Sequence, residues 1–366
     1  MSKMVLFTLF TLLAFLSGCS INQMMTPFMP IGKGINIACA LEAPQEGDWG
    51  VMIEDWFFDE IAERGFESVR LPIRWSAHSQ HTPPYDIDHI FILRVEEVIQ
   101  QALDRGLKVV INMHHFEELM ADPDGYTQKF YSLWEQMTAR FLNYPDALFF
   151  ELLNEPEGNL TVDYWNAIQL EAIRRIRAID NDRWVIITGA QGGLSDSLYT
   201  IQLPVDTDRI IATFHFYEPY LFTHQGASWL GPEFQTTGIQ WPGPPENAVI
   251  PVQAAQEIEA FAQWFEQYNT LPYTHNPAGP KPITQELRKA RDWSGQTGIP
   301  VLMSEFGTYN IIDETSRANW THFVYQKAQE YAIPWMIWGF AGTFGVYDLE
   351  THEWNEAMIG SLLGVK

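Results

Sequence analysis

Leu148-Phe149-Phe150-Glu151-Leu152-Leu153-Asn154-Glu155-Pro156 is a strongly apolar run that closes on an amide, a carboxylate and a proline. Read as a strand, its period of two places Phe149, Leu153 and Glu155 on roughly one face. Pro156 has no N–H to give to a ladder and marks where pairing stops. Glu155 then stands at the C-terminal lip of a strand. The run Val301-Leu302-Met303-Ser304-Glu305-Phe306-Gly307 repeats the design, with Val301, Met303 and Glu305 aimed at one face and Gly307 breaking the strand. Two strands that each deliver a glutamate to their ends predict a carboxylate pair.

Working outward, short apolar runs alternate with helical patterns from Gly34 onward, the sequence form of a parallel sheet packed by helices. Eight strands are expected, at 34–39, 68–73, 108–115, 148–155, 185–188, 210–217, 301–306 and 335–340. After the first of the two glutamate strands, Thr161 is a good N-cap, and Trp165, Ile168, Ala172, Ile176 and Ile179 recur at helical spacing. Arg174, Arg175 and Arg177 fall mainly off that stripe. Eight strand-helix units predict an α/β fold, a single-domain (β/α)8 TIM barrel, with an enlarged loop after strand six. That loop, 225–282, is proline-rich around an expected helix at 252–268. In a barrel such loops line the active face, which makes Trp229, Trp241 and Tyr273 candidates for substrate contact, with a surface insertion of no role as the equal alternative for Trp241 and Tyr273. Gly-rich phosphate fingerprints are missing, which argues against a doubly wound nucleotide domain.

Of the 366 residues, 46% are hydrophobic, enough for a large core. The formal charge of −24, with only 22 Lys and Arg, argues against a nucleic-acid partner, which requires clustered cations. Fourteen tryptophans and fourteen tyrosines exceed the ordinary needs of packing, and flat rings in a cleft suit the faces of sugars; the alternative is that most are simply core.

At the N-terminus, Lys3 precedes an apolar run from Val5 to Leu16 that is too short for a stable membrane span and reads as a signal peptide. Leu16-Ser17-Gly18-Cys19 resembles a bacterial lipobox, in which the cysteine is acylated and becomes the new N-terminus. The expected division is a lipoprotein signal peptide at 1–19, a tether at 20–33 and a catalytic barrel at 34–366. The resemblance implies an exported lipoprotein held in a membrane through Cys19, and Ser20 after it favours the outer membrane or cell surface. Cys39 is the one cysteine left after processing, so no intrachain disulfide is expected.

Arg70, His114, His115, Asn154, Glu155, His215, Tyr217, Glu305 and Trp338 all fall at or near the C-terminal ends of the expected strands. Two carboxylates across a barrel mouth suit acetal hydrolysis, where one protonates the departing oxygen and the other attacks the sugar carbon. Arg70 and the Tyr217 hydroxyl would favour the charged form of a nucleophile, whereas an acid needs burial and neighbouring negative charge to keep its proton. Asn154 is placed to bond a sugar hydroxyl and Trp338 to floor a sugar site. His215 and Tyr217 share a strand face near Glu305.

These residues resemble glycoside hydrolase family 5, the cellulase family. The resemblance is carried in order by Gly34-Ile35-Asn36, Leu41-Glu42-Ala43-Pro44, Val69-Arg70-Leu71-Pro72, His114-His115, Asn154-Glu155-Pro156, His215-Phe216-Tyr217, Ser304-Glu305-Phe306-Gly307 and Trp338. Thr223-His224-Gln225-Gly226-Ala227-Ser228-Trp229 is similar to a bacterial endoglucanase and mannanase subgroup. It implies Glu155 as acid/base and Glu305 as nucleophile, supported by Arg70, His115, Asn154, His215 and Tyr217. By the same resemblance Glu42, His114, His224, Trp229 and Trp338 are substrate contacts. The implied activity is retaining endo-hydrolysis of a β-1,4-glucan, with mannan, xyloglucan or mixed-linkage glucan as alternatives, by a monomer that needs no cofactor or metal. Two departures bear on the sugar subsites: Ala38-Cys39 stands where the subgroup reads Gly-Asn, and Gly339 where many relatives carry a carboxylate.

Three other readings compete. Cys39 is ordinarily a small buried hydrophobe, and at the first strand it could also lie near substrate. His114 and His115 lack metal-ligand spacing, because adjacent strand residues point to opposite faces. A lipid-tethered glycan-binding protein without turnover would share the barrel but has no need of both glutamates.

Overall fold

The structure, a computed structural model, describes residues 27–363. The signal peptide, Cys19 and the tether up to residue 26 lie outside the described residues. Eight parallel strands form the barrel: β1 (Gly34–Asn36), β2 (Ser68–Leu71), β3 (Lys108–Asn112), β4 (Leu148–Glu151), β5 (Val185–Thr188), β6 (Ile210–Phe216), β7 (Val301–Phe306) and β8 (Met336–Trp338). They pair in the order β7-β6-β5-β4-β3-β2-β1-β8, and the ring closes through a bridge between Met303 and Trp335 and the bond from Met303 N to Pro334 O at 3.0 Å. All eight expected strands are present, and several stop two or three residues earlier than their apolar runs.

Each strand turns alternate residues into the lumen, and one pleat step changes its chemistry. Val110, Phe149, Ile186, Ile211, Leu302 and Met336 fill the lower lumen as one apolar cluster. Two residues further along the same strands stand Asn112, Glu151, Thr188, Thr213, Ser304 and Trp338, joined by Asn36 and Arg70 from β1 and β2. The lower layer is a packed plug and the upper layer a buried polar floor, all below the C-terminal lip where barrel chemistry resides. Ile31 is buried in the lower cluster and Met29 packs against it. The tether expected at 20–33 therefore ends earlier, because an apolar side chain is needed to close the bottom of the barrel.

Most of the tryptophans serve the scaffold, the plainer of the two readings that their number allowed. Trp75, Trp134, Trp165, Trp320 and Trp335 are fully buried. Four of them give their indole N–H to carbonyls at strand ends: Trp75 to Asn112, Trp134 to Leu152, Trp165 to Thr188 and Trp320 to Glu218. Those carbonyls sit where the ladders run out, and a buried carbonyl without a partner is costly.

Helix Val162–Ile179 forms as expected, with the Thr161 side chain accepting from Tyr164 N. After β5 the helical position holds only a six-residue 3-10 helix, Ser195–Thr200. The long loop after β6 carries two short helices, Gln253–Gln256 and Glu259–Thr270, in place of the one expected, before helix Pro280–Thr297. Trp241 is buried against Phe323 and belongs to the core, which overturns its assignment to substrate contact. Tyr273 is exposed without a ring partner among the described residues.

Candidate active site

Arg70 is the centre of the site. It is fully buried, and its guanidinium uses all five of its N–H donors. Nε and Nη2 grip Glu151 at 2.7 Å each, Nη1 reaches Glu305 Oε1 at 2.6 Å and Asn36 Oδ1 at 2.9 Å, and Nη2 also reaches Asn154 Oδ1 at 2.9 Å. Asn36 is fixed in turn by its amide, which donates to Ser304 O and Ile337 O. Burying one cation among carboxylates is tolerable only with such complete bonding. The ion pair to Glu151 and the support of Glu305 are thus one arrangement. In the sequence Asn36 is only part of the Gly34-Ile35-Asn36 motif, and its anchoring of Arg70 emerges only when β1, β2 and β7 are brought together.

Glu305 reaches the lumen by an irregularity. Phe214 pairs with Met303 and His215 with Glu305, leaving Ser304 as an extra residue in β7. A bulge of this kind re-aims the next side chain. Val301 and Met303 consequently face the outer core and Glu305 the lumen, a correction to the shared face expected from strict alternation. Both Glu305 oxygens are held: Oε1 by Arg70, and Oε2 by the Tyr217 hydroxyl at 2.9 Å. Tyr217 is itself fixed where Thr223 Oγ1 donates to its carbonyl at 2.6 Å.

Glu155 is placed differently. The β4 ladder ends at Glu151, Leu153 packs in the outer core, and Glu155 sits in the left-handed region at φ 43°. It is therefore off the strand, not at its last pleat. A glycine turn supports it: Gly193 O accepts from His215 N at 2.8 Å, and a Cβ on Gly193 would lie 3.7 Å from Glu155 Cγ. One Glu155 oxygen meets His215 Nδ1 at 2.6 Å, and the side chain remains 40% exposed. Asn154 presents its oxygen to Arg70, which leaves its NH2 without a partner among the described residues and able to donate to a ligand.

Ligating atoms of Glu155, His215 and Glu305 lie within 4.8 Å of one another. One imidazole and two carboxylates could in principle hold a divalent ion. Here Arg70 keeps a fixed positive charge on one of those carboxylates, and the donor atoms already bond to each other and to Tyr217, so the set fits a proton network better than a cation. Burial lifts the Glu305 carboxyl above its ordinary range, against the pull of His215 and Arg70. Burial pushes Glu155 the same way, but the His215 hydrogen bond together with the charges of His215 and Arg70 outweighs it and holds Glu155 low. His215 loses affinity for its proton by burial and regains more from Glu305 and Glu155, ending above the usual imidazole range. His215 thus holds its proton more firmly than an ordinary imidazole, and the pull of Arg70 and Tyr217 on Glu305 is smaller than the effect of burial.

The remaining predicted residues divide. His114 stacks on Trp338 with ring centroids 5.7 Å apart and planes 9° from parallel, and burial holds it neutral, well below its usual range. His115, beyond the end of β3, touches the edge of His114 and stays partly exposed. His224 stacks on Tyr220, meets Tyr217 edge-on and is pushed down to about 3 by burial, so it too is neutral. Trp229 is about half exposed beside Tyr309 and Phe344. Glu42 is not presented to the cleft: it is 1% exposed and accepts from Cys39 N and Ala40 N, with burial raising it to about 7. Cys39 lies in that turn at φ 63°, beyond β1, and burial raises its thiol to about 11, so it is no thiolate nucleophile. Gly339 has little room, since a Cβ there would meet Asn36 O at 3.1 Å.

A barrel mouth that carries two glutamates, one clamped by Arg70 and Tyr217 and one hydrogen-bonded to His215, defines a glycosidase-type site. The chain belongs to the cellulase family, glycosyl hydrolase family 5, whose model matches residues 32–342. It is 30% identical to Endoglucanase H of Acetivibrio thermocellus over 91% of this chain and 33% of that protein. It thus spans about a third of that relative's length, and half of the length of Endoglucanase 3 of Fibrobacter succinogenes, to which it is 27% identical over 87% of its own length. Among solved structures it is similar to the endoglucanase Cel5A of Thermotoga maritima, at 41% identity and a TM-score of 0.80, covering 91% of this chain and 97% of that one.

Proposed function

We propose that this chain hydrolyses internal β-1,4 linkages of a glucan by double displacement with retention of configuration. The observation that carries the reading is the unequal pair, Glu305 with both oxygens held and Glu155 with one oxygen free, close enough for the same anomeric centre to touch both. Retaining pairs stand ~5–5.5 Å apart and inverting pairs ~6.5–9.5 Å, and the 4.8 Å limit on the ligating atoms of these residues favours the first. Glu305, aimed by Arg70 and Tyr217, attacks the anomeric carbon as the glycosidic oxygen leaves with a proton from Glu155. Glu155 then takes a proton from water, which attacks the glycosyl-enzyme and frees Glu305. Substrate that enters between Glu155 and His215 breaks their hydrogen bond and covers the carboxyl from water. Both changes raise its hold on a proton, as a general acid requires.

Glucan is favoured because the Thermotoga maritima Cel5A structures, 40% identical to this chain, include complexes with cellobiose; the complex with mannotriose keeps mannan as the second reading. Reducing-end assays on soluble cellulose derivatives, mixed-linkage glucan, glucomannan, mannan and xyloglucan decide between them, and glucan turnover exceeding mannan turnover is expected. No release from any of them would overturn the assignment. We also propose that the protein acts as a monomer at a membrane, tethered by a lipid on Cys19. Labelled palmitate should enter the wild type but not Cys19→Ser, and an unlabelled wild type would refute the anchor.

A further inference from the structure

The catalytic residues do not account for Trp49. The residue is 44% exposed, although the loop that carries it is held by several hydrogen bonds. Gly47 at φ 98° and Gly50 at φ 85° supply the left-handed positions, and Gly50 N bonds Gly47 O at 3.0 Å. Gln45 N bonds Asp48 Oδ2 at 3.1 Å, Ile53 N bonds Glu46 Oε1, and Glu46 is gripped at both oxygens by Arg94 at 2.9 Å. None of these bonds involves the indole, so the turn holds the ring out without needing it. A large apolar ring kept ordered at the surface forfeits the stabilisation that burial would bring.

Two observations say what covers it. First, Trp49 ends a row of rings that begins at the catalytic floor: Trp338 lies flat against His114, His114 meets His115 edge-on at 4.7 Å, and His115 meets Trp49 edge-on at 5.7 Å. Second, Trp49 borders a groove of about 670 Å³ that is lined also by Asn310, Gly342, Asp348 and Glu350 with Arg317 among them. Its polar groups are suited to hydroxyls. Arg317 is 5% exposed, has no carboxylate within ion-pair distance among the described residues, and bonds only neutral oxygens of Thr308 and Gly345 at 3.3–3.5 Å.

We infer that Trp49 is a stacking platform for an outer sugar of the bound chain, and that the groove beyond it carries the sugars that follow. This rests on the glycanase reading above. It makes Trp49 a positioning residue that favours long chains over short ones, since β1 lies across the barrel from β5, whose loop backs Glu155. Ring stacking of this kind is worth a modest factor, realised equally in ground and transition states, so it belongs in KM.

The test compares a hexaose with an aryl cellobioside, using the full chain. Trp49→Ala should raise KM for cellohexaose, or for mannohexaose if mannan proves the substrate, about three- to tenfold with little change in kcat. The ratio of kcat/KM for the hexaose to that for the aryl cellobioside should fall by the same factor, and Trp49→Tyr should restore most of it. An unchanged ratio, or equal losses on both substrates, overturns the inference while leaving the glycanase reading intact. A wild type that cleaves none of these substrates overturns both.

Discussion

The ends of β4 and β7 carry the same residue and treat it in opposite ways. Glu305 sits within its strand, turned inward by one extra residue and bonded at both oxygens to groups that are themselves anchored. Glu155 stands beyond its strand on a left-handed residue, touches one partner and is 40% exposed. The difference matches the work of each group. A nucleophile must meet one carbon along one line, so freedom is a loss. A group that protonates a leaving oxygen and later deprotonates water must serve two oxygens in turn, so complete bonding would disable it.

The largest effect expected from breaking this contrast is at Arg70. Arg70→Met leaves Glu151 and Glu305 buried without their cation, and loss of one partner of such a pair costs about 3–5 kcal/mol. Denaturant unfolding should show it, and Arg70→Lys should recover little, because a lysine cannot reproduce the five-donor fork. A fully stable Arg70→Met protein would show that the floor network is dispensable.

Next comes the acid. Glu155→Ala should lower kcat/KM on polysaccharide by about 10²–10⁴, the usual worth of general acid catalysis. On a dinitrophenyl cellobioside, whose leaving group needs no proton, kcat/KM should fall less than about tenfold while the glycosyl-enzyme accumulates. Equal losses on both substrates would mean that Glu155 is not the proton donor.

The smallest of the three concerns Tyr217. Tyr217→Phe removes one bond to the Glu305 carboxylate, worth about 1.5–3 kcal/mol for a bond to a charged group. That bond lowers the affinity of Glu305 for its proton, so its removal raises a value already lifted by burial. The acidic limb of the kcat/KM profile should therefore move to higher pH. A limb that stays in place or moves down would show that Glu305 is not the group titrating there.

The barrel was legible because each strand is a compact apolar run and each run ends on chemistry-bearing residues. Legibility failed where one residue changes direction. Alternation put Met303 beside Glu305 and Leu153 beside Glu155, and a bulge at Ser304 and a left-handed Glu155 undid both. No local propensity announces either, since each depends on the neighbouring strand or on the Gly193 turn. The roles of Trp241 and the strand-end tryptophans were left open because composition counts rings without saying which pack in the core and which carbonyls need an indole N–H. Glu42 shows the same limit: a glutamate in a loop reads as available, and only the turn at Cys39 reveals that it is committed to the backbone.

The direct test of the unequal pair is azide rescue of the two alanine variants, with product configuration read by proton NMR. In Glu155→Ala the glycosyl-enzyme on Glu305 still forms, and azide attacks it from the side vacated by Glu155, which gives a glycosyl azide of retained configuration. In Glu305→Ala azide takes the place of the nucleophile itself and attacks the intact substrate once, which gives the inverted azide. Retained product from the Glu305 variant with inverted product from the Glu155 variant would contradict the account, because the clamped carboxylate would then be the acid and the freer one the nucleophile.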